Sequence, residues 1–295
     1  MGRRAHALRG AGGAAVPMPV LGFGTMDLPL GRGCVEAVLV ALQVGFRHLD
    51  TAPGYGAAAC IRAALAEGGI GRGEVFIATK LHPELGGEGG APEVFEVAAG
   101  ELLADHLAEL GTDYVDALML HFPGPSDAAT LGYWRFLERC QAEGRARAIG
   151  VSNFNLDQLE ALWRHAAAPP SFQQVRWSLY EPAEAELSGG AVEEVGPGGS
   201  LLDWAAAHGL RTAVFFALSH AAFPLPVRED PHVLALATEY HCSASQVVLR
   251  YLLELGFVVL ARTATAEHTG DNALALGCAV PRWQLWRLSG LAALA

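Results

Sequence analysis

What most limits the fold of this chain is an alternation. Eight short apolar runs are each followed by a longer stretch, and several of those stretches show helical periodicity. The runs are VLGFGT (Val20–Thr25), FRHLDT (Phe46–Thr51), VFIATK (Val75–Lys80) and YVDALMLH (Tyr114–His121). They continue with RAIGVS (Arg147–Ser152), FQQVRW (Phe172–Trp177), LRTAVFF (Leu210–Phe216) and FVVLAR (Phe257–Arg262). The central runs are apolar throughout, as parallel strands covered on both faces must be. Between them, Val35, Val38, Leu39 and Leu42 share one helical face. Gly111 reads as a C-cap, Asn155 as an N-cap, and Ser243 or Ser245 as the cap of a helix that Gly256 stops. Eight βα units in a chain of 295 residues predict one α/β domain, a (β/α)8 TIM barrel. An open doubly wound sheet is the alternative. It would carry a GxGxxG turn after its first strand, where this chain has GFGTMDLPLGRG.

Composition narrows the partners. The net charge of −11 argues against polyanions, so no nucleic acid is expected. No apolar run reaches the roughly 18 residues of a spanning helix, so no membrane is expected either. The opening MGRRAHALRGAGGAAVPMP is basic and lacks the apolar centre of a secretory signal. Residues 1–16 are read as a flexible tail, with a transit peptide as the alternative, and residues 17–295 as the barrel. Cys34, Cys60, Cys140, Cys242 and Cys278 are scattered and form no CxxC. They predict buried free thiols in a reducing, cytoplasmic protein. No histidine falls in a metal-binding spacing, so no metal is expected. The segments Glu84–Glu93 and Glu184–Ser200 are the candidate surface loops on the site-bearing face.

The strand ends carry the functional signal. A buried strand should close on something bland, yet these close on Asp50, Lys80, His121, Ser152 with Asn153, and Arg262, while Gln174 sits inside the sixth. Singly, each has an ordinary explanation: a turn acid, a solvated lysine, a hydrogen-bonded core histidine. In a barrel all of them meet at one rim, which a purely structural role does not require.

Seven blocks in order, PVLGFGT, GFRHLDTAPGYG, VFIATKLHP, LGTDYVDALMLHFP, GRARAIGVSNFNLDQLEAL, QQVRWSLY and VVLART, resemble those of the aldo-keto reductases. The resemblance implies a catalytic tetrad of Asp50, Tyr55, Lys80 and His121, and NADPH-dependent reduction of an aldehyde or ketone. A nicotinamide brings the hydride, because no side chain can. Tyr55 gives the proton, Lys80 lowers the phenol's pKa, Asp50 holds Lys80, and His121 positions the carbonyl. A histidine at this position favours C=O over C=C reduction within the family.

The same resemblance implies cofactor contacts. Ser152, Asn153 and Gln174 match the residues that hold the nicotinamide carboxamide, and Phe216 stands for a stacking tyrosine. Thr25 belongs to the same set. At the adenosine end Arg262, Thr263, His268 and Asn272 follow the family's phosphate stretch, with arginine for lysine and histidine for arginine. NADPH is therefore expected, with NADH as the alternative. Met26 and Phe122 stand where tryptophans line the substrate pocket, and the glutamate common after the tyrosine is missing from GAAACIRAAL. Trp283 and Trp286 are expected to pack the last helix, with a place in the pocket lining as the alternative. The whole is read as a monomer acting on a small carbonyl compound. A cofactor-binding regulatory protein of the same fold is the first rival. A phosphate-substrate lyase or isomerase is the second, but FFALSHAAF and LARTATAEH lack the glycines such a site needs.

Overall fold

Each apolar run contains a strand in the computed structural model, which describes residues 4–179, 201–218 and 227–288. Two short strands come first, β1 (Ala5–Arg9) and β2 (Ala15–Pro19). The expected eight follow: β3 (Leu21–Gly24), β4 (His48–Asp50), β5 (Phe76–Leu81), β6 (Val115–Leu120), β7 (Ala146–Ser152), β8 (Phe172–Arg176), β9 (Arg211–Phe215) and β10 (Val258–Ala261). Those eight close into a barrel in the order β10-β3-β4-β5-β6-β7-β8-β9, all parallel. Register brings the polar ends level: Asp50 lies beside Gly24 and Ala78, and Ser152 beside Gln174.

Helices return the chain between strands, beginning with α1 (Arg32–Gln43), α2 (Ala58–Glu67), α3 (Pro92–Leu110), α4 (Asp127–Ala142) and α5 (Leu156–His165). Their caps follow local chemistry. The Asn155 side chain accepts from Gln158 N at 2.9 Å, and Gln158 Oε1 in turn accepts from Asn155 N at 3.0 Å. Gly111 ends α3 at φ 70°, a conformation that favours glycine. Ser243, rather than Ser245, caps the helix Ala244–Glu254.

The core has two layers. Helix faces pack on the outside of the barrel, while the inside is filled by Phe76, Ala78, Ala117, Met119, Ala148, Phe172, Ala213 and Val258. The inner alanines leave room for the larger rings. Gly150 shows how tight the fit is, since a Cβ there would fall 2.6 Å from the Phe172 carbonyl oxygen.

The expected flexible tail is instead a structural element. β1 and β2 pair as an antiparallel hairpin, from Ala5 opposite Pro19 to Arg9 opposite Ala15. Leu8, Val16 and Met18 are buried among the residues inside the barrel, so the hairpin plugs its lower end. The hairpin's apolar residues recur at alternate positions, but the runs are too short and too mixed with arginine and glycine to stand out.

The cysteine reading also needs correction. Cys242 and Cys278 form a disulfide, while Cys34, Cys60 and Cys140 are free and buried. Neither partner has a motif spacing, because the bond joins segments that only tertiary packing brings together. Trp283 and Trp286 do not pack as expected: they are 64% and 52% exposed. The segment Glu84–Glu93 forms a 3-10 turn at Pro83–Gly86 followed by a glycine-rich bend. The other candidate loop, Glu184–Ser200, lies outside the described residues. No helix among the described residues is long and apolar enough to cross a membrane.

Candidate active site

At the upper rim, Asp50 and Lys80 form a buried ion pair. Lys80 Nζ donates to Asp50 Oδ1 at 2.6 Å and to the Thr51 carbonyl at 3.1 Å. Gln174 Nε2 donates to the other carboxylate oxygen, Oδ2, at 2.8 Å. Thr25 fixes the same strand end, giving both its N–H (3.0 Å) and its hydroxyl (2.9 Å) to the Asp50 carbonyl. Asp50 is thus held from β3, β5 and β8 at once.

Tyr55 stands on a 3-10 turn, Pro53–Tyr55, whose first residue is preset for that geometry by the proline ring. The turn carries the phenol ring back over the pair, with Lys80 Nζ 5.1 Å from the ring centroid. Tyr55 Oη lies 3.5 Å from His121 Nε2. The His121 ring is stacked on Phe122 at 5.0 Å and meets the His82 ring edgewise at 5.6 Å. Asp50, Tyr55, Lys80 and His121 are therefore one cluster, as the strand-end reading expected.

The electrostatics differ from that reading in one respect. Lowering of the Tyr55 pKa by Lys80 was expected. Instead burial raises it, and the charges of Asp50 and Asp27 add to the effect. Lys80 has spent its charge on Asp50. Burial lowers the Lys80 pKa, and the carboxylate opposes that shift. His121 is lowered to about 4, chiefly by burial and then by the charges of Lys80 and His82, so it is neutral at pH 7.

These groups open into a cavity of about 620 Å³. Asp50, Tyr55, His121, Phe122 and Met26 line it together with Ser152, Asn153, Gln174, Phe216 and Arg262. Asn153 and Phe216 adopt φ of 60° and 55°, and Asp27 beside Met26 has φ 53°. Three of the described non-glycine residues in this sparsely used conformation thus sit at one rim, where strain of this kind gathers at working sites. Thr263 and His268 are not among the lining residues: Thr263 precedes the helix Ala266–Ala273 and accepts from Thr265 N, His268 stands in its first turn, and Asn272 is buried at 3% exposure. Two residues of the neighbourhood escaped the sequence reading, His82 and Arg176. Both follow a recognised residue by two positions, so strand alternation could have flagged them.

Residues 20–282 match the model of the Aldo/keto reductase family. The chain belongs to that family. It is 33% identical to an aldo-keto reductase of Mycobacterium avium (strain 104) over 274 residues, which span 90% of this chain and 87% of that protein. An aldo-keto reductase of Mycobacterium tuberculosis (strain ATCC 25618 / H37Rv) is 30% identical over 256 residues, 86% of this chain and 80% of that one. The crystal structure of an aldo/keto reductase from Brucella melitensis matches with a TM-score of 0.80 at 25% identity, covering 98% of this chain and all (100%) of that one. The aldose reductase structure from Schistosoma japonicum matches in fold, with a TM-score of 0.78 at 24% identity over 97% of this chain and 92% of that one.

This aldo-keto reductase is an oxidoreductase of a family that works with a nicotinamide cofactor. The residues present fit such a group. Asn153 Nδ2 is engaged with the His121 carbonyl and Ser152 Oγ, and Gln174 Nε2 with Asp50. What these side chains have left to offer is two amide oxygens and one hydroxyl hydrogen. That set is the complement of a carboxamide, which has two N–H donors and one acceptor.

Proposed function

We propose that this aldo-keto reductase reduces an aldehyde or ketone to the alcohol with NADPH, and that Tyr55 donates the proton. The observation that supports it is the buried Lys80–Asp50 pair, 2.6 Å apart, beneath the Tyr55 ring with His121 alongside. A reduced nicotinamide, when bound, supplies the hydride. The protein manages the carbonyl oxygen. Burial keeps the phenol protonated, so Tyr55 approaches the oxygen as an acid. Neutral His121, 3.5 Å from Tyr55 Oη, orients the carbonyl by a hydrogen bond. As the phenol gives up its proton, its oxygen gains charge beside Lys80. That ammonium has committed two of its three N–H bonds, to Asp50 and Thr51, and the third serves the nascent phenolate. Asp50, clamped by Gln174, fixes the ammonium in place. A positioned acid of this kind is worth ~10²–10⁴ in rate.

The NADPH reading rests on Arg262, Thr263 and His268 at the adenosine end, with NADH as the alternative. Arg262 gives Nε to the Met26 carbonyl at 2.9 Å and one terminal nitrogen to the Asp27 carbonyl. Its other terminal nitrogen is left to meet a 2′-phosphate. A monomer in the cytoplasm completes the reading, although the Cys242–Cys278 bond pulls against a reducing compartment. The test is oxidation of NADPH and NADH across a panel of aldehydes, ketones and sugars. Turnover of at least one aldehyde, with several-fold higher kcat/KM for NADPH, is the expected result. Dinucleotide binding without turnover of any carbonyl would instead assign the protein a binding or regulatory role.

A further inference from the structure

We infer that Arg176 binds the diphosphate of the dinucleotide in this enzyme. The inference rests on the nicotinamide reading of the cavity and adds a residue to it. On β8, Gln174 faces inward onto Asp50. Arg176, two residues further, projects to the same side, roughly 7 Å nearer the mouth at the usual rise per strand residue. It is half-buried and lines the cavity. The next strand but one, β10, is followed directly by Arg262, and the intervening β9 by Phe216; both residues line the cavity. The Arg176 guanidinium carbon is 5.2 Å from the centroid of the Phe216 ring. Among the described lining residues, Arg176 and Arg262 are the only arginines or lysines, in a chain of net charge −11.

The order of groups in a dinucleotide decides what Arg176 meets. The carboxamide complement, Ser152, Asn153 and Gln174, marks one end, and Arg262 with Thr263 and His268 marks the other. Between a nicotinamide riboside and an adenosine lies one anionic unit, the diphosphate. A guanidinium fork suits phosphate oxygens because it can give two parallel N–H bonds. A carboxylate on the substrate is less well placed to reach it, since Tyr55 and His121 belong to the β4–β6 side of the barrel, across from β8 and β9.

The test is equilibrium binding without turnover, by calorimetry or tryptophan fluorescence, of NADPH, NADH and adenosine 2′-monophosphate, which lacks the diphosphate. Arg176→Gln should weaken NADPH and NADH by the same factor, ~10–100-fold for a lost charged hydrogen bond. Its affinity for adenosine 2′-monophosphate should be unchanged, which also shows that the variant is folded. Arg176→Lys should recover part of the loss. Wild-type affinity for both dinucleotides in Arg176→Gln would overturn the inference alone. So would an equal loss for adenosine 2′-monophosphate, or intact binding with a raised KM only for an anionic aldehyde. A wild-type protein that binds neither dinucleotide would overturn the cofactor reading, and this inference with it.

Discussion

Four side chains from four places in the chain, Asp50, Tyr55, Lys80 and His121, converge at one rim of the barrel. Three were legible because each closes an apolar strand, and Tyr55 because a Pro-Gly turn follows Asp50. Their protonation states were not legible. Direction of shift depends on burial, which is a property of the packed barrel rather than of any local run. A histidine outside the site makes the same point measurably. His106 is buried, bonds Thr79 Oγ1 through Nε2 at 3.0 Å, and is lowered to about 4 by burial. Its folded pKa lies below its ordinary value, so its neutral form contributes stability above about pH 6.5 that is lost as pH falls toward 4. The linked loss is on the order of 3 kcal/mol at most. Thermal unfolding from pH 7 to pH 4 should show a shallower fall for His106→Gln than for wild type. Parallel pH dependences would show that His106 is not the titrating group.

At the scale of elements, the eight barrel strands and the caps at Gly111, Asn155 and Ser243 could be read in advance. Each is written locally, as an apolar run or a capping residue. The β1–β2 hairpin could not, because its stability comes from what it plugs. Leu8 is 2% exposed inside the barrel, although it sits in a basic stretch. Leu8→Ala should cost about 2–5 kcal/mol in denaturant unfolding, the range for a buried leucine. A frayed tail would give no measurable change. Arg176 is intermediate: alternation in FQQVRW puts it on the same face as Gln174, and the closed barrel turns that position onto the cavity.

For the whole molecule, closure of the barrel is what turns separated polar strand ends into a site, and family membership agrees with that architecture. Long-range pairing of cysteines is also a whole-molecule property. Denatured without reductant, the protein should present three titratable thiols, from Cys34, Cys60 and Cys140, and five after reduction. Five before reduction would mean that Cys242 and Cys278 are unbonded. In the proposed function this architecture serves to protonate a carbonyl through Tyr55. Its most direct test is kcat for an aldehyde that wild type reduces, measured for Tyr55→Phe alongside the Kd for NADPH. A fall in kcat of ~10²–10⁴ with Kd unchanged is the expected result. A Tyr55→Phe enzyme that turns over at the wild-type rate would contradict it.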